Sequence, residues 1–519
     1  MYWCKIATTE KEFDDIAALN YETFIEEIPQ YEANESRRKV DRFHSENKYI
    51  VVYKETEIVG MLAFRDNRPF SLDEKIGKVE QYLNESDCGK LAEIRLLAVR
   101  KSFRTGRVLF RLIQAVYAFA YHQGYSAAVI SGTTREQKLY KQMGFEAFAP
   151  AVGSEEAKFV PMILTRSKFE QELEKRISKG NQYTFYPGPV KQNSTLSHTN
   201  LSHRSGEFNN LFTRMKKQLL ELSGANYIAT VVGSGTLAND VMLGQLKVSS
   251  KKKGLILVNG EFGERLADQA NNWGLSFETL ASDWGMAHNL SDLNLHLKSE
   301  AYEWVLMVHG ETSTGTLNSI EPILEITKRY NVKLCVDCIS SFGALPFSMS
   351  ELHLATSVSG KAIGAVSGLA FIFSEQLVEE GKMPSYLNLA KYQKSKPPFT
   401  IPAMLVANVL EALKNYPDRY RLLEQRFMKM RDLKIAEKYG VNTNHYPMII
   451  TLQLSDELIG IIEDLKLNGI HLHGDSAYLR NRNFVQLSTI QPDFEEAFTQ
   501  LKGIEGYYLS VIEEAKLIL

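Results

Sequence analysis

The chain of 519 residues carries 60 Lys plus Arg against 62 Asp plus Glu, a formal net charge of −2, which excludes an electrostatic case for nucleic acid or an anionic membrane as partner. Hydrophobic residues make up 44%, as in a globular protein, and no apolar run reaches the roughly 20 residues needed to span a bilayer. The start, MYWCKIATTEKEFDD, lacks the basic and apolar regions of a secretory leader, so a cytoplasmic chain is expected, with two to four domains at roughly 100 to 200 residues each.

From residue 1 to about 165 the predicted elements are short. KYIVVYKETEIVGMLAF is two β-rich runs around the polar turn Lys54–Thr56, a hairpin signal. LAEIRLLAV (91–99) is a strand ending in a basic loop. The following helix places Val108, Leu109, Leu112, Ile113, Val116 and Phe119 at helical spacing until Gly124 stops it. YSAAVISG is the next strand. The charged stretch 166–182 reads as a solvated connecting helix and linker.

Beyond it, 183–519 repeats a short apolar run, a polar or glycine-rich turn and a helical segment: YIATVVGSGT, GLILVNGEFG, WVLMVHGETSTG and KLCVDCISS. That alternation predicts an α/β domain with a mostly parallel sheet, helices on both faces and a small C-terminal α/β subdomain at about 430–519. Cys335 and Cys338 form a C-x-x-C without a second pair or a His cluster, so buried packing is expected and no metal site.

Ligands in such sheets sit at the carboxyl ends of the strands. There the chain puts Ser234, Gly235 and Thr236 before a helix, where N–H groups and hydroxyls can hold a phosphate. Phe262 follows on a similar turn, then His309, Glu311, Ser313 and Thr314, then Asp337, a carboxylate ending a buried strand, and Lys361 between glycines in VSGKAIGAVSG. Phosphate loop, aromatic plate, buried carboxylate and lysine are what pyridoxal 5′-phosphate requires: donors for its phosphate, a stacking face, a partner for the pyridine nitrogen and an amine for a Schiff base.

With YPGPV, GSGTLAND, NGEFGERLADQANNWG, HGETSTGTLN, VDCISSFGALPF, SGKAIGAVSGLAF and FTIP in order, the chain from about Tyr183 resembles the class V aminotransferases. These are fold type I enzymes that include the alanine–glyoxylate and 2-aminoethylphosphonate–pyruvate transaminases. The resemblance implies that Lys361 carries the cofactor, Asp337 pairs with its pyridine nitrogen and Phe262 stacks on its ring. It also implies that Ser234, Gly235 and Thr236 hold the phosphate, that Ser313 lies near the ring hydroxyl, and that Thr400 reaches the phosphate of a neighbouring subunit in a homodimer. Gly188 and a C-terminal arginine would meet substrate, but Gln486 fills the arginine's place in NFVQLSTIQPDF. Arg480 and Arg482 either take over the grip on a carboxylate or are solvated loop charges.

The first 165 residues, through EIRLLAVRKSFRTGRVLFRLI and LYKQMGFEAF, resemble the GNAT acyltransferases. ALNYETFIEEIPQYE is similar to the synthases that transfer longer acyl chains from carrier protein, such as the acyl-homoserine lactone and N-acyl amino acid synthases. The resemblance implies acetyl-CoA, a longer acyl-CoA or an acyl carrier protein as donor. Leu97 and Val99 would lie on the strand that pairs with pantetheine, and Arg104, Gly106 and Arg107 at its pyrophosphate, beside Arg100 and Lys101. Glu93 would be a base and Tyr140 the acid for the leaving thiolate. The family's R-x-x-G-x-G/A spacing is not met, since a single glycine follows Arg104, one place early. The expectation is a bifunctional enzyme that transfers an amino group between a small amine or amino acid and a keto acid or aldehyde, coupled to N-acyl transfer. The alternative is a lyase or carbon–carbon bond-forming enzyme beside a non-catalytic binding domain.

Overall fold

The computed structural model describes residues 1–28, 31–153, 158–177, 182–192, 201–393, 396–414, 416–441 and 446–517. Of the expected linker, residues 178–181 lie outside the described residues. The chain divides into two compact units, one of Met1–Tyr183, Asp456–His471 and Thr499–Leu519, the other of Thr184–Ser455 and Leu472–Phe498. The stretch 430–519, expected as one subdomain, is therefore shared between them.

In the first unit, β1 (Tyr2–Ile6), β2 (Lys48–Lys54), β3 (Glu57–Arg65), β4 (Leu91–Val99), β5 (Ala127–Thr133), β6 (Glu146–Ala147), β7 (Val152–Gly153) and β8 (Lys158–Thr165) form one sheet in the order β1-β2-β3-β4-β5-β8-β6, with β7 on β8. Helix α1 (Glu10–Tyr21) opens on a capping box in which Thr9 and Glu12 satisfy each other's backbone N–H groups. Helix α2 (Arg107–His122) buries Val108, Leu112, Ala115, Val116 and Phe119 along one stripe. It starts at Gly106, whose φ of +81° suits glycine. A short helix, α3 (Gln137–Gln142), carries Tyr140.

Among the described residues, only β4 and β5 of this sheet pair in parallel, over Leu91–Glu93 against Ala127–Val129. Beyond Glu93 the two strands part, where Leu96 takes a φ of +53° and the register between β3 and β4 shifts. Leu97 and Val99 lie on the part of β4 beyond that pairing.

The outer edge of β1 is closed by side chains of a distant segment. The Cys4 N–H donates to Asn468 Oδ1 at 2.9 Å, Asn468 Nδ2 returns a bond to the Cys4 carbonyl at 2.8 Å, and the Ile6 N–H donates to Asp464 Oδ1 at 2.8 Å. An exposed strand edge is thereby covered, which draws Asp456–His471 into this unit.

Burial lifts the Asp464 carboxyl to about 8, against the pull of nearby Lys5. The folded chain then holds a proton that the unfolded chain, with a carboxyl near 3.9, has released, so this group's contribution to stability is lost as pH rises from about 4 to about 8. Asp464→Asn should melt higher than the parent, by a margin on the order of 2 kcal/mol that grows between pH 5.5 and pH 9. Thermal melts across that range check it, and a margin independent of pH counts against it.

In the second unit, β9 (Tyr227–Val232), β10 (Gly254–Val258), β11 (Phe277–Ala281), β12 (Trp304–Val308), β13 (Lys333–Asp337), β14 (Leu354–Val358) and β15 (Leu369–Ser374) form a seven-stranded sheet in the order β9-β15-β14-β13-β12-β10-β11. β15 runs antiparallel to both neighbours and the other pairings are parallel. Strands such as WVLMV and LATSV are buried throughout, as a sheet covered on both faces demands. Helices α4 (Gly206–Ser223), α5 (Gly235–Ser249) and α6 (Glu261–Asn272) follow the expected alternation. A separate antiparallel pair joins β16 (Ile449–Gln453) to β17 (Phe484–Ser488).

Cys335 and Cys338 are free and buried, and burial pushes the Cys335 thiol up to about 12. Among the described residues, no group of three or more His, Cys, Asp or Glu is placed to hold a metal, and no helix is long and apolar enough to cross a membrane.

Candidate active site

At the carboxyl ends of the second unit's strands lies a cavity of about 410 Å³ lined by Gly235, Thr236, Asn239, Phe262, Asp337 and Lys361, among others. β9 delivers the α5 N-terminus: Ser234 is its N-cap but makes no side-chain capping bond, and the first N–H groups of the helix face a site suited to an anion. Gly235 packs closely on Ile339: a Cβ there would fall 2.7 Å from Ile339 Cδ1, so that side chain would have to shift. β10 leads to α6 with Phe262 in its first turn. Buried Glu311 pins that turn by accepting from the Phe262 N–H at 3.3 Å and the Gly263 N–H at 3.1 Å, and burial raises its carboxyl to about 7.

Adjacent strands β13 and β14 supply the two ionisable groups. Asp337 Oδ2 accepts from Asn239 Nδ2 and Oδ1 from the Ile339 N–H, both at 2.8 Å. Asn239 is itself oriented by Thr356 Oγ1 at 2.8 Å. Burial raises the Asp337 carboxyl while those bonds and the charge of Lys361 oppose the rise. Lys361, on the turn after β14, donates from Nζ to the Pro187 carbonyl at 3.1 Å. Burial brings its ammonium down to about 8, with Asp337 pulling the other way. Gly188 makes room for it: its φ is +136°, and a Cβ there would lie 3.1 Å from Lys361 Cδ.

The remaining wall comes from His473, Ser476 and Tyr478, residues that no motif singled out. Burial lowers the His473 imidazole, and Lys361 lowers it further. Tyr478 meets Phe262 edge to face at 6.0 Å. Asn239 and Arg265 were also missed, although each carries a signal in its spacing. Asn239 lies four residues after Gly235 and Arg265 three after Phe262, so each shares a helix face with an expected site residue.

Other expected residues fall outside the cavity lining. Ser313 is fully buried, with Oγ bonded to Glu311 and accepting from the Glu261 N–H at 3.0 Å; Thr312 lines the cavity instead. Gln486 is also fully buried, its amide donating to the Thr312 carbonyl at 2.7 Å, the Ser313 carbonyl at 3.3 Å and Thr451 Oγ1 at 3.0 Å. It braces the 312–313 loop from behind. Arg480 is exposed, and the Arg482 guanidinium lies 3.4 Å from the centre of the Trp284 ring. Thr400 is exposed on the segment before the helix Ala403–Leu413.

In the first unit, Glu93 is fully buried and accepts from the Ser71 N–H, Ser71 Oγ and the Leu72 N–H at 2.9, 2.7 and 2.9 Å. Its oxygens fasten that turn, and Arg95 Nε lies 3.7 Å from Oε2. Tyr140 packs at the end of β5, where a Cβ on Gly132 would come within 3.0 Å of it, and burial raises its phenol. The loop arginines are held by acids and carbonyls. Arg104 donates to the Val99 carbonyl at 2.9 Å and to Glu27 at 2.6 Å, and Arg100 to the Ile58 carbonyl at 2.9 Å and to Glu22 at 3.4 Å. Gly106 and Arg107 are exposed at the start of α2.

A mostly parallel seven-stranded sheet, with a carboxylate closing one strand and a lysine on the turn after its neighbour, defines a fold type I aminotransferase domain. Solved structures share that fold. The subgroup IV aspartate aminotransferase of Thermus thermophilus superposes with a TM-score of 0.57 at 23% identity, covering 64% of this chain and 99% of that one. The alanine–glyoxylate aminotransferase of Nostoc sp. gives 0.56 at 22%, covering 63% and 95%.

Residues 189–392 match the class-V aminotransferase family, and residues 15–168 match the family described as N-acyl amino acid synthase FeeM. The chain thus carries a GNAT-like FeeM-type domain followed by a class-V aminotransferase domain. Over 227 residues it is 32% identical to the 2-aminoethylphosphonate–pyruvate transaminase of Pseudomonas putida (strain GB-1), covering 40% of this chain and 61% of that protein. The corresponding transaminase of Pseudomonas aeruginosa (strain PAO1) is 31% identical over 227 residues, covering 41% and 61%. The chain therefore spans about three-fifths of these curated relatives.

The class-V aminotransferase match over residues 189–392 implies pyridoxal phosphate, and the donor set fits it. A buried carboxylate needs a cationic partner in a cavity where the described cations are Lys361, Arg265 and, when protonated, His473. The α5 N-terminus supplies an anion site on the same wall.

Proposed function

We propose that the second unit transfers an amino group between an amine or amino acid and a 2-oxo acid or aldehyde, and that the first unit acylates a primary amine from a phosphopantetheine thioester. The observation that carries the first part is the pairing of buried Asp337 and Lys361 at adjacent strand ends, with the α5 N-terminus on the same cavity. Pyridoxal phosphate, when bound, supplies an electron sink for bonds at the amine-bearing carbon. The chain's own work is then to hold the ring nitrogen at Asp337, the ring face at Phe262 and the phosphate at Ser234, Gly235 and Thr236. Lys361 holds the cofactor and moves the proton at the amine-bearing carbon. A homodimer, with Thr400 reaching the partner's phosphate site, belongs to the same proposal.

In the first unit the parted edge of β4 at Leu97 and Val99 suits a pantetheine arm, which accepts strand-like hydrogen bonds. Arg104 and Arg107 lie near its phosphate end, and Tyr140 protonates the departing thiolate. The arm is common to acyl-CoA and acyl carrier protein. An acylated nitrogen no longer condenses with an aldehyde, so acylation follows amino transfer on any shared substrate. The Pseudomonas relatives act, by their names, on 2-aminoethylphosphonate and pyruvate, and a small acid-bearing amine with a 2-oxo acid is the substrate class proposed for this chain.

The test is a screen of amino donors and acceptors on the purified full chain, read by mass spectrometry with acyl-CoA, with acyl carrier protein and with neither. An aminated product that gains an acyl group is the expected result. The absence of amino transfer from every donor sinks the proposal. The placement of Gln486 favours one second reading, lysis or carbon–carbon bond formation. A donor supplied alone separates the two: conversion of the cofactor to its amine form supports amino transfer, and release of a side-chain fragment supports the lyase.

A further inference from the structure

Among the described residues, none of those expected to grip a substrate's acid group lines the cavity. Gln486 is consumed in bracing the 312–313 loop, and neither Arg480 nor Arg482 is among the cavity's lining residues. Of the cations that do line it, Lys361 is assigned to the cofactor, and burial together with the charge of Lys361 disfavours a charged His473. Arg265 remains, one turn beyond Phe262 on α6, where its guanidinium lies 4.8 Å from the centre of the Phe262 ring. One Nη donates to Glu261 Oε1 at 3.2 Å. Both partners of that ion pair are well exposed, at 42% and 30%, so it is weak and readily exchanged.

We propose that Arg265 receives the anionic group of the amino donor and acceptor, a carboxylate or phosphonate, and so selects amines that carry an acid over simple amines. This rests on the amino-transfer reading above. The planar guanidinium offers paired N–H donors that match either oxyanion. The Phe262 ring sets its plane, while Ser476 and Tyr478 on the facing wall supply further hydroxyls. An incoming anion replaces Glu261 as partner, and the released Glu261 turns to solvent. An arginine from α6 thus performs the task for which the C-terminal segment offers only Gln486.

The experiment uses the full chain loaded with pyridoxal phosphate and follows, by absorbance, conversion of the cofactor to its amine form. The probes are 2-aminoethylphosphonate, β-alanine and propylamine, which share an amine and a short chain but differ in the acid. The parent chain is expected to prefer one or both acids over propylamine, and which acid is preferred distinguishes phosphonate from carboxylate. Arg265→Gln should reduce that preference about 10- to 100-fold, through weaker apparent binding, with Arg265→Lys restoring part of it. An unaltered preference in Arg265→Gln overturns the assignment, as does loss of the cofactor itself, which would make Arg265 its holder. If no amine converts the cofactor in the parent chain, the amino-transfer reading falls first and this assignment with it.

Discussion

Lys361→Ala is expected to lose covalent retention of pyridoxal phosphate and to lower amino transfer by about 10³-fold or more, since the same amine both holds the cofactor and moves the proton. Borohydride reduction followed by intact mass measurement reads the first loss, and product formation from the best donor reads the second. The parent's capture of the cofactor should also depend on pH in a particular window. With burial bringing Lys361 down to about 8, its free amine is present in about one molecule in ten at pH 7. The capture rate should therefore rise through pH 8 and level off near pH 9, whereas an ordinary lysine, near 10.4, would keep rising through pH 10. An alanine variant that retained the cofactor's Schiff-base absorbance and full activity would remove the central assignment.

The strands were legible because their apolar runs are continuous and end in glycine or polar turns. LAEIRLLAV became β4 with the bounds expected, and Asp337 and Lys361 came to one cavity because each closes or follows such a run. Where the expectation missed, the cause is tertiary. Ser313 and Thr312 are neighbours in sequence, but the Ser313 hydroxyl is taken up by the Glu311 carboxylate and the Glu261 N–H while Thr312 lines the cavity. His473, Ser476 and Tyr478 carry no local signal, since they reach the site only through the closure of a segment more than a hundred residues after Lys361.

The same distance hid the membership of Asp456–His471 in the first unit. An edge strand announces its unpaired groups in no motif, and the Asn468 amide that covers β1 lies 464 residues from Cys4. Glu93 shows the converse. A carboxylate on a strand near an expected reaction site reads as a base, but three donors from the Ser71–Leu72 turn give it a structural task. The loop arginines teach a related lesson: charge pattern alone did not show that Glu22 and Glu27 answer Arg100 and Arg104. Any pyrophosphate must compete with those acids, at the small cost of breaking half-exposed pairs.

Asp337→Asn is expected to separate the needs of the cofactor from those of the fold. In the parent, both carboxylate oxygens accept hydrogen bonds, from Asn239 and from the Ile339 N–H, yet the charge stays costly because the group is buried. A raised carboxyl lowers stability as pH climbs through its folded value. The cofactor-free Asp337→Asn chain should therefore melt no lower than the parent at pH 8. With cofactor the order reverses, because a neutral amide cannot hold the ring nitrogen protonated. Amino transfer should fall by about 10²- to 10³-fold, about 3–4 kcal/mol, in the range of losing one partner of a buried charge pair. The gain in melting temperature on cofactor binding should shrink as well. Asn239→Leu supplies the control: it keeps the charge, deletes one hydrogen bond to it, and should cost about 10-fold or somewhat more. Equal losses in the two variants would reduce Asp337 to a hydrogen-bonding neighbour of the ring. A large loss confined to Asp337→Asn makes its charge the group that sustains the electron sink.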